Sequence, residues 1–166
     1  MAGWVKRTIR PPLEVSVSAP AGWERIDVEH TELVLALAGM PAGVFRPSLV
    51  VVSYFSEEPL PQIALRAAEE AQQQYEDPLL ISSEYLEHFG RAGRRIEFTY
   101  RIGETTVFVR RWILKLDSRC LDVIASSTVG QVPLVRGAFD AMFSSLAWER
   151  AAAAQAAWGT RRHRRK

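Results

Sequence analysis

The chain has 166 residues, 48% of them apolar and 24% charged, enough for one ordinary soluble domain with a sizeable core of its own. The net charge of +2 is unevenly placed. Arg161, Arg162, Arg164, Arg165 and Lys166 supply five of the 21 basic groups, leaving 16 against 19 acidic ones, about −3 for the rest. The chain is therefore a mildly acidic body with a basic tail, and its single cysteine, Cys120, excludes an internal disulfide and a cysteine-ligated metal cluster.

Residues 1–12 contain Pro11-Pro12 and read as an arm, without an apolar core of signal-peptide length or a lipid-attachment cysteine. Leu13 to Ser18 alternates and predicts a strand. The turn Pro20-Ala21-Gly22 presents Trp23, followed by a short strand to Val28. Leu33 to Ala38 is a continuous apolar run suited to a buried strand, ended by Gly39, Pro41 and Gly43. The apolar run to Met40 falls far short of the roughly 20 residues that span a bilayer, and a cytoplasmic location is expected. Ser48 to Phe55, rich in β-branched and aromatic residues, predicts a central strand.

Pro59-Leu60-Pro61 opens a helix with apolar positions at Leu60, Ala64, Ala67, Ala68, Ala71 and Tyr75, and Pro78 is expected to stop it. Leu79 to Phe89 fits a strand better than a helix, because Ile81, Ser82 and Ser83 are weak helix formers. Gly90 to Gly93 reads as a tight turn. Arg94 to Ile102, Thr105 to Leu116 and Cys120 to Ser127, joined by the short turns Gly103-Glu104 and Asp117-Ser118, form an antiparallel meander. Val132, Val135, Phe139, Met142 and Phe143 recur at helical spacing and predict a second helix. Ala147 to Trp158 is alanine-rich and expected to be helical, and the final T-R-R-H-R-R-K to be disordered when unbound.

No assembled catalytic centre stands out. Glu84 and His88 are four residues apart, a metal-ligand spacing on a helix, but no third ligand accompanies them, and an exposed polar edge is the better reading. Nothing matches a nucleophile elbow or a nucleotide-binding glycine loop. Cys120 has Arg119 beside it, yet neighbouring strand residues point to opposite faces, so a small buried or edge thiol is expected. Gly90-Arg91-Ala92-Gly93 with Arg94 and Arg95 reads as a hairpin with solvated arginines rather than a phosphate loop. The tail could make a weak, salt-sensitive contact with a polyanion.

One segment is unusual. Arg110-Arg111-Trp112 sits inside a strongly apolar strand, so one arginine must lie on each face of the sheet. Burying a guanidinium without a partner is costly, and Glu97 on the neighbouring strand is a candidate carboxylate. An ordinary cross-strand ion pair is one reading. The other makes this region the rim of a partner-binding groove, formed by Tyr100, Arg110, Arg111 and Trp112 with the aromatic pair as anchors.

The P-A-G-W turn, the R-P-S-L-V-V-V strand, the helix near Leu60, the G-R-A-G-R turn into I-E-F-T-Y, the strand containing R-R-W and the closing F-D-A-M-F-S-S-L resemble, in order, the PsbP-like superfamily over residues 13–148. LpqN-type bacterial proteins are the nearest branch, although their lipoprotein signal is missing here. The resemblance implies an α+β fold, an α/β/α sandwich with a central, mainly antiparallel twisted sheet flanked by two main helices. It divides the chain into an arm (1–12), the PsbP-like domain (13–148) and an alanine-rich extension with a basic tail (149–166). It implies non-enzymatic work without cofactor or metal: an intracellular adaptor or chaperone-like module for a protein partner, with a link to secretion as in Eag-type adaptors. A homodimer is left open. The competing expectation is a small-ligand carrier or enzyme with a pocket between sheet and helix.

Overall fold

A computed structural model of the chain describes residues 13–150. Nine strands and two α-helices follow in the order β1 (Leu13–Ser16), β2 (Trp23–Arg25), β3 (Leu33–Leu37), β4 (Ser48–Phe55), α1 (Leu60–Gln74), β5 (Glu76–His88), β6 (Arg91–Ile102), β7 (Thr105–Leu116), β8 (Arg119–Thr128), α2 (Val132–Ser145) and β9 (Ala147–Arg150). Seven strands form one antiparallel sheet in the order β2-β3-β4-β8-β7-β6-β5, and β1 pairs with β9 in a separate ribbon. This is the expected α+β sandwich, with one helix on each face of the sheet.

Side chains alternate across the sheet, so its two faces carry two cores. On one face Leu35, Leu49, Val51, Trp112, Leu114, Leu121 and Val123 pack against Val135, Phe139 and Met142 of α2. On the other, Ile96, Phe98, Val107, Val109 and Ile113 pack against Ile63, Ala64, Ala67 and Ala71 of α1. The P-A-G-W turn serves the first core. Gly22 takes a positive φ of 89°, and Trp23 meets Phe139 edge-on with ring centroids 5.6 Å apart.

Three expectations are corrected. Pro78 does not stop α1. The helix ends at Gln74, where Tyr75 turns extended and stacks on Tyr100. Pro78 instead lies within β5, at the sheet's edge and beside an irregularity in the register, where a missing N–H costs no ladder bond. The turn expected over Gly90 to Gly93 is a two-residue hairpin at Phe89-Gly90, both with positive φ, as a type I′ turn requires. Gly93 lies inside β6 for a steric reason: a Cβ there would come within 2.8 Å of the Ile113 carbonyl oxygen. Finally, the alanine-rich run does not begin as a helix. Residues 147–150 form β9, with Val15 opposite Trp148, while 151–158 and the basic tail lie outside the described residues.

Candidate functional site

Strand β7 puts Arg110 and Arg111 on opposite faces, as alternation demands. On the α2 face Arg110 is 1% exposed. Its Nε donates to Glu97 Oε1 at 2.9 Å and its Nη1 to Asp140 Oδ1 of α2 at 2.5 Å. Nη2 also lies 2.9 Å from Glu97 Oε1, but without a hydrogen aligned on that oxygen. Glu97 is approached at 3.7 Å by Arg95, which pairs in turn with Glu84 of the edge strand. A five-member ionic chain thus runs from β5 to α2: Glu84, Arg95, Glu97, Arg110, Asp140. The Arg110 guanidinium also lies 5.7 Å from the Trp112 ring centroid. Trp112, 3% exposed, stacks on Phe143 at 4.6 Å with the rings 4° from parallel.

On the α1 face Arg111 binds Asp122 of β8 in bidentate fashion, with Nε 2.9 Å from both carboxylate oxygens and Nη2 2.5 Å from Oδ2. Burial pushes the Asp122 carboxyl up from the usual carboxylate range, an effect Arg111 opposes. Tyr54 lies alongside, and its phenol is raised by burial first and the Asp122 charge second. Burial also raises the Cys120 thiol, which is fully enclosed.

Arg111 forms part of a trough beside α1. A cleft of about 330 Å³ is lined by Tyr54, Phe55, Arg66, Glu70 and Arg111, among others. A smaller one of about 70 Å³ shares Glu70 and Arg111 and continues past Ile124 and Ser126 to Tyr75 and Tyr100. Those two tyrosines stack at 4.1 Å.

The four residues proposed as a partner-binding rim are thus divided: Arg110 and Trp112 lie enclosed on the α2 face, whereas Tyr100 and Arg111 line the trough on the α1 face. Glu84 and His88 are likewise committed elsewhere, Glu84 to Arg95 and the His88 ring to the Leu146 carbonyl at 2.9 Å. Among the described residues no group of three His, Cys, Asp or Glu side chains is placed to hold a metal. No described helix is long and apolar enough to cross a membrane.

A feature overlooked in the sequence is the free edge of β5. Leu79, Leu80, Ile81, Tyr85 and Phe89 are exposed along it and at its hairpin tip, with Tyr85 at 63% and Phe89 at 71%. The signal was present in Leu79 to Phe89: that run does not alternate cleanly, as a half-buried strand would.

No family model and no curated protein matches the sequence. Solved structures do. LpqN, involved in cell envelope biogenesis of Mycobacterium tuberculosis, superposes with a TM-score of 0.70 over 86% of this chain and 87% of its own, at 8% identity. The cyanobacterial PsbP of Synechocystis superposes with a TM-score of 0.59 over 89% of this chain and 96% of its own, at 15% identity. The fold is PsbP-like. A Pseudomonas aeruginosa protein of unknown function shares the PsbP-like arrangement with a TM-score of 0.62, covering 75% of this chain and 96% of its own at 14% identity. At these identities the PsbP-like likeness establishes architecture, and function has to be argued from the surface.

Proposed function

We propose that this chain is a non-enzymatic protein-binding module, a cytoplasmic adaptor or chaperone-like protein that takes up an extended segment of its partner along β5. The observation that carries this reading is the exposed apolar edge of the sheet. From Ser82 to His88 the pairing with β6 is regular, and the outer side of β5 presents backbone donors and acceptors for another strand. Ser83, Tyr85 and Glu87 share one face, so the segment that fits carries an apolar residue opposite Tyr85 and a basic one opposite Glu87.

Phe89 strengthens the case. A bulky side chain in left-handed backbone, here with φ 48°, is unfavourable, and hairpin turns favour Asn or Gly at that place. An aromatic that is exposed at that place is suited to contact. The fold shared with LpqN and PsbP is compatible with such work, and a single free, buried cysteine suits a reducing compartment.

The test is affinity capture from the native cell with the wild-type chain, Phe89→Asn and Tyr85→Asp side by side. Both positions are exposed, so the variants are expected to fold, and the proposal expects them to lose the proteins that wild type retains. An unchanged set of co-purified proteins would sink it. The small-ligand reading rests on the 330 Å³ cleft, which falls at the lower end of the usual ligand-pocket range. It expects a ligand whose binding shifts the amide resonances of Tyr54, Ala67 and Arg111.

A further inference from the structure

The free edge of β5 is complementary to itself in a single register. We propose that two copies of the chain join there into a closed dimer, β5 against β5 and antiparallel, with Tyr85 on the two-fold axis. The dimer covers the edge assigned above to a partner segment, so second copy and partner compete for it. It stands on the geometry of the edge and does not depend on that earlier reading.

The hairpin at Phe89-Gly90 decides which backbone groups of β5 point outward. In a two-residue hairpin the flanking pair, here His88 and Arg91, exchanges both of its hydrogen bonds. Bonded and non-bonded pairs alternate from there, so Leu86 and Glu84 also bond inward, to Gly93 and Arg95. Ser83, Tyr85 and Glu87 are then the residues whose N–H and C=O face away from β6. Their side chains are exposed, and they lie on the α1 face, because Ser83 stands opposite Ile96 of that core. Among the described residues no strand pairs with this edge.

Antiparallel self-pairing can centre on any residue from Ser83 to Glu87, and all but one of these centres fail. Centring on Glu84 or on Glu87 sets that carboxylate against its own copy, and like charges directly opposite destabilise a sheet. Centring on Ser83 sets Tyr85 against Ile81, inside the irregularity between Leu80 and Ser82. Centring on Leu86 sets Ser83 against Phe89, whose φ of 48° has already turned the chain out of the strand. Centring on Tyr85 has none of these faults. Tyr85 then exchanges two hydrogen bonds with Tyr85 of the second copy, and Ser83 exchanges two with the facing Glu87 at either end. The phenol rings meet on the α1 face as a cross-strand aromatic pair, and each Ser83 hydroxyl can donate to the Glu87 carboxylate opposite. On the α2 face Glu84, already held by Arg95, comes beside Leu86.

The other edge of the sheet explains why the assembly closes. Strand β2 has 3 residues, so a head-to-tail chain joining β5 to β2 has less strand to pair. The two-fold arrangement pairs the whole run from Ser83 to Glu87 in both copies, with the same patch on each side. Beyond that ladder, exposed Ile81 falls level with exposed Phe89 of the second copy, which gives each end an apolar contact.

Sedimentation of the purified full chain over a dilution series tests the dimer. Wild type should pass from monomer to dimer as its concentration rises. Tyr85→Asp and Tyr85→Lys, each alone, put like charges on the axis and should weaken dimerisation about tenfold. An equal mixture of the two variants should restore it, a rescue that a Tyr85 facing some other position would not give. Register is read separately by oxidising single-cysteine variants, since fully buried Cys120 does not compete. Tyr85→Cys should link to its own copy, because the Cα spacing of a hydrogen-bonded pair, about 5.5 Å, lies within disulfide range. Ser83→Cys should link to Glu87→Cys when the two are mixed. A wild type that stays monomeric at every concentration overturns the proposal. So does a mixture as weak as its components, or self-linking at Ser83→Cys or Glu87→Cys in place of Tyr85→Cys. A monomeric wild type would leave the affinity-capture result standing, so the two readings fail separately.

Discussion

Replacing Arg110 with Met removes a guanidinium but keeps an apolar stem of similar length against Trp112, so the effect isolates the charge. The two carboxylates left behind differ sharply. The Asp140 side chain is 54% exposed and returns to water at little cost, whereas Glu97 is 12% exposed and has Arg95 at 3.7 Å as its remaining cation. Breaking a buried pair by removing one partner costs about 3–5 kcal/mol, and Arg95 places this case near the lower end, about 3 kcal/mol. The same reasoning makes a second variant informative. In Glu97→Leu with Arg110→Met no charge is stranded, because Arg95 keeps Glu84, and the double variant should fall within about 1 kcal/mol of wild type. Urea unfolding followed by tryptophan fluorescence measures both, and unchanged m-values would show that the unfolded state is the same. If Arg110→Met lies within about 1 kcal/mol of wild type, or if the double variant is as unstable as the single, the ionic chain does not carry the burden assigned to it.

Gly93→Ala should destabilise by about 1–3 kcal/mol in the same assay, since its Cβ would press on the Ile113 carbonyl and on Leu114 and Leu86 side chains. Phe89→Asn should stay within about 1 kcal/mol of wild type, because relief of the left-handed backbone offsets the lost ring contacts with His88 and Trp148, so a concurrent loss of partner binding would not come from unfolding. Alkaline pH should weaken the fold through Tyr54. Its phenol is raised in the folded state, so above about pH 10 the unfolded chain loses a proton that the folded chain keeps. That contribution is complete below about pH 10 and lost as pH rises, and Tyr54→Phe should show a shallower fall between about pH 10 and 12. Tyr100 shifts in the same direction, so part of the fall should remain. Cys120 should resist a thiol reagent in the native protein and react at once in denaturant; rapid native labelling would contradict its burial.

Much of the fold was legible because its signals are local. Ser48–Phe55 and the β6-β7-β8 meander follow from β-branched content, clean alternation and two-residue turns, and Val135, Phe139 and Met142 follow from helical spacing. The misread stretches are those where tertiary contacts outweigh local preference. Residues 147–150 read as helix by composition but pair with β1, more than 130 positions earlier in the chain, and no local pattern announces that partner. Gly93 resembles a turn glycine because glycine usually marks turns, whereas here the close approach of β7 excludes a side chain.

The arginine pair shows how far alternation can carry a site. Its period of two dictates that Arg110 and Arg111 occupy opposite faces, and it makes Glu97 a cross-strand partner for one of them. It cannot say which face a helix will seal. That depends on where α2 lands, and the second Arg110 partner, Asp140, comes from 30 residues away. Once α2 covers Trp112 and Arg110, their polar and aromatic groups are used up holding helix to sheet. On the opposite face α1 leaves Arg111 at the wall of a trough, anchored by Asp122 and bordered by Glu70. Two adjacent residues of one type thus end in different chemical settings. The surface with free binding capacity is set by which half of each sheet face its helix leaves uncovered.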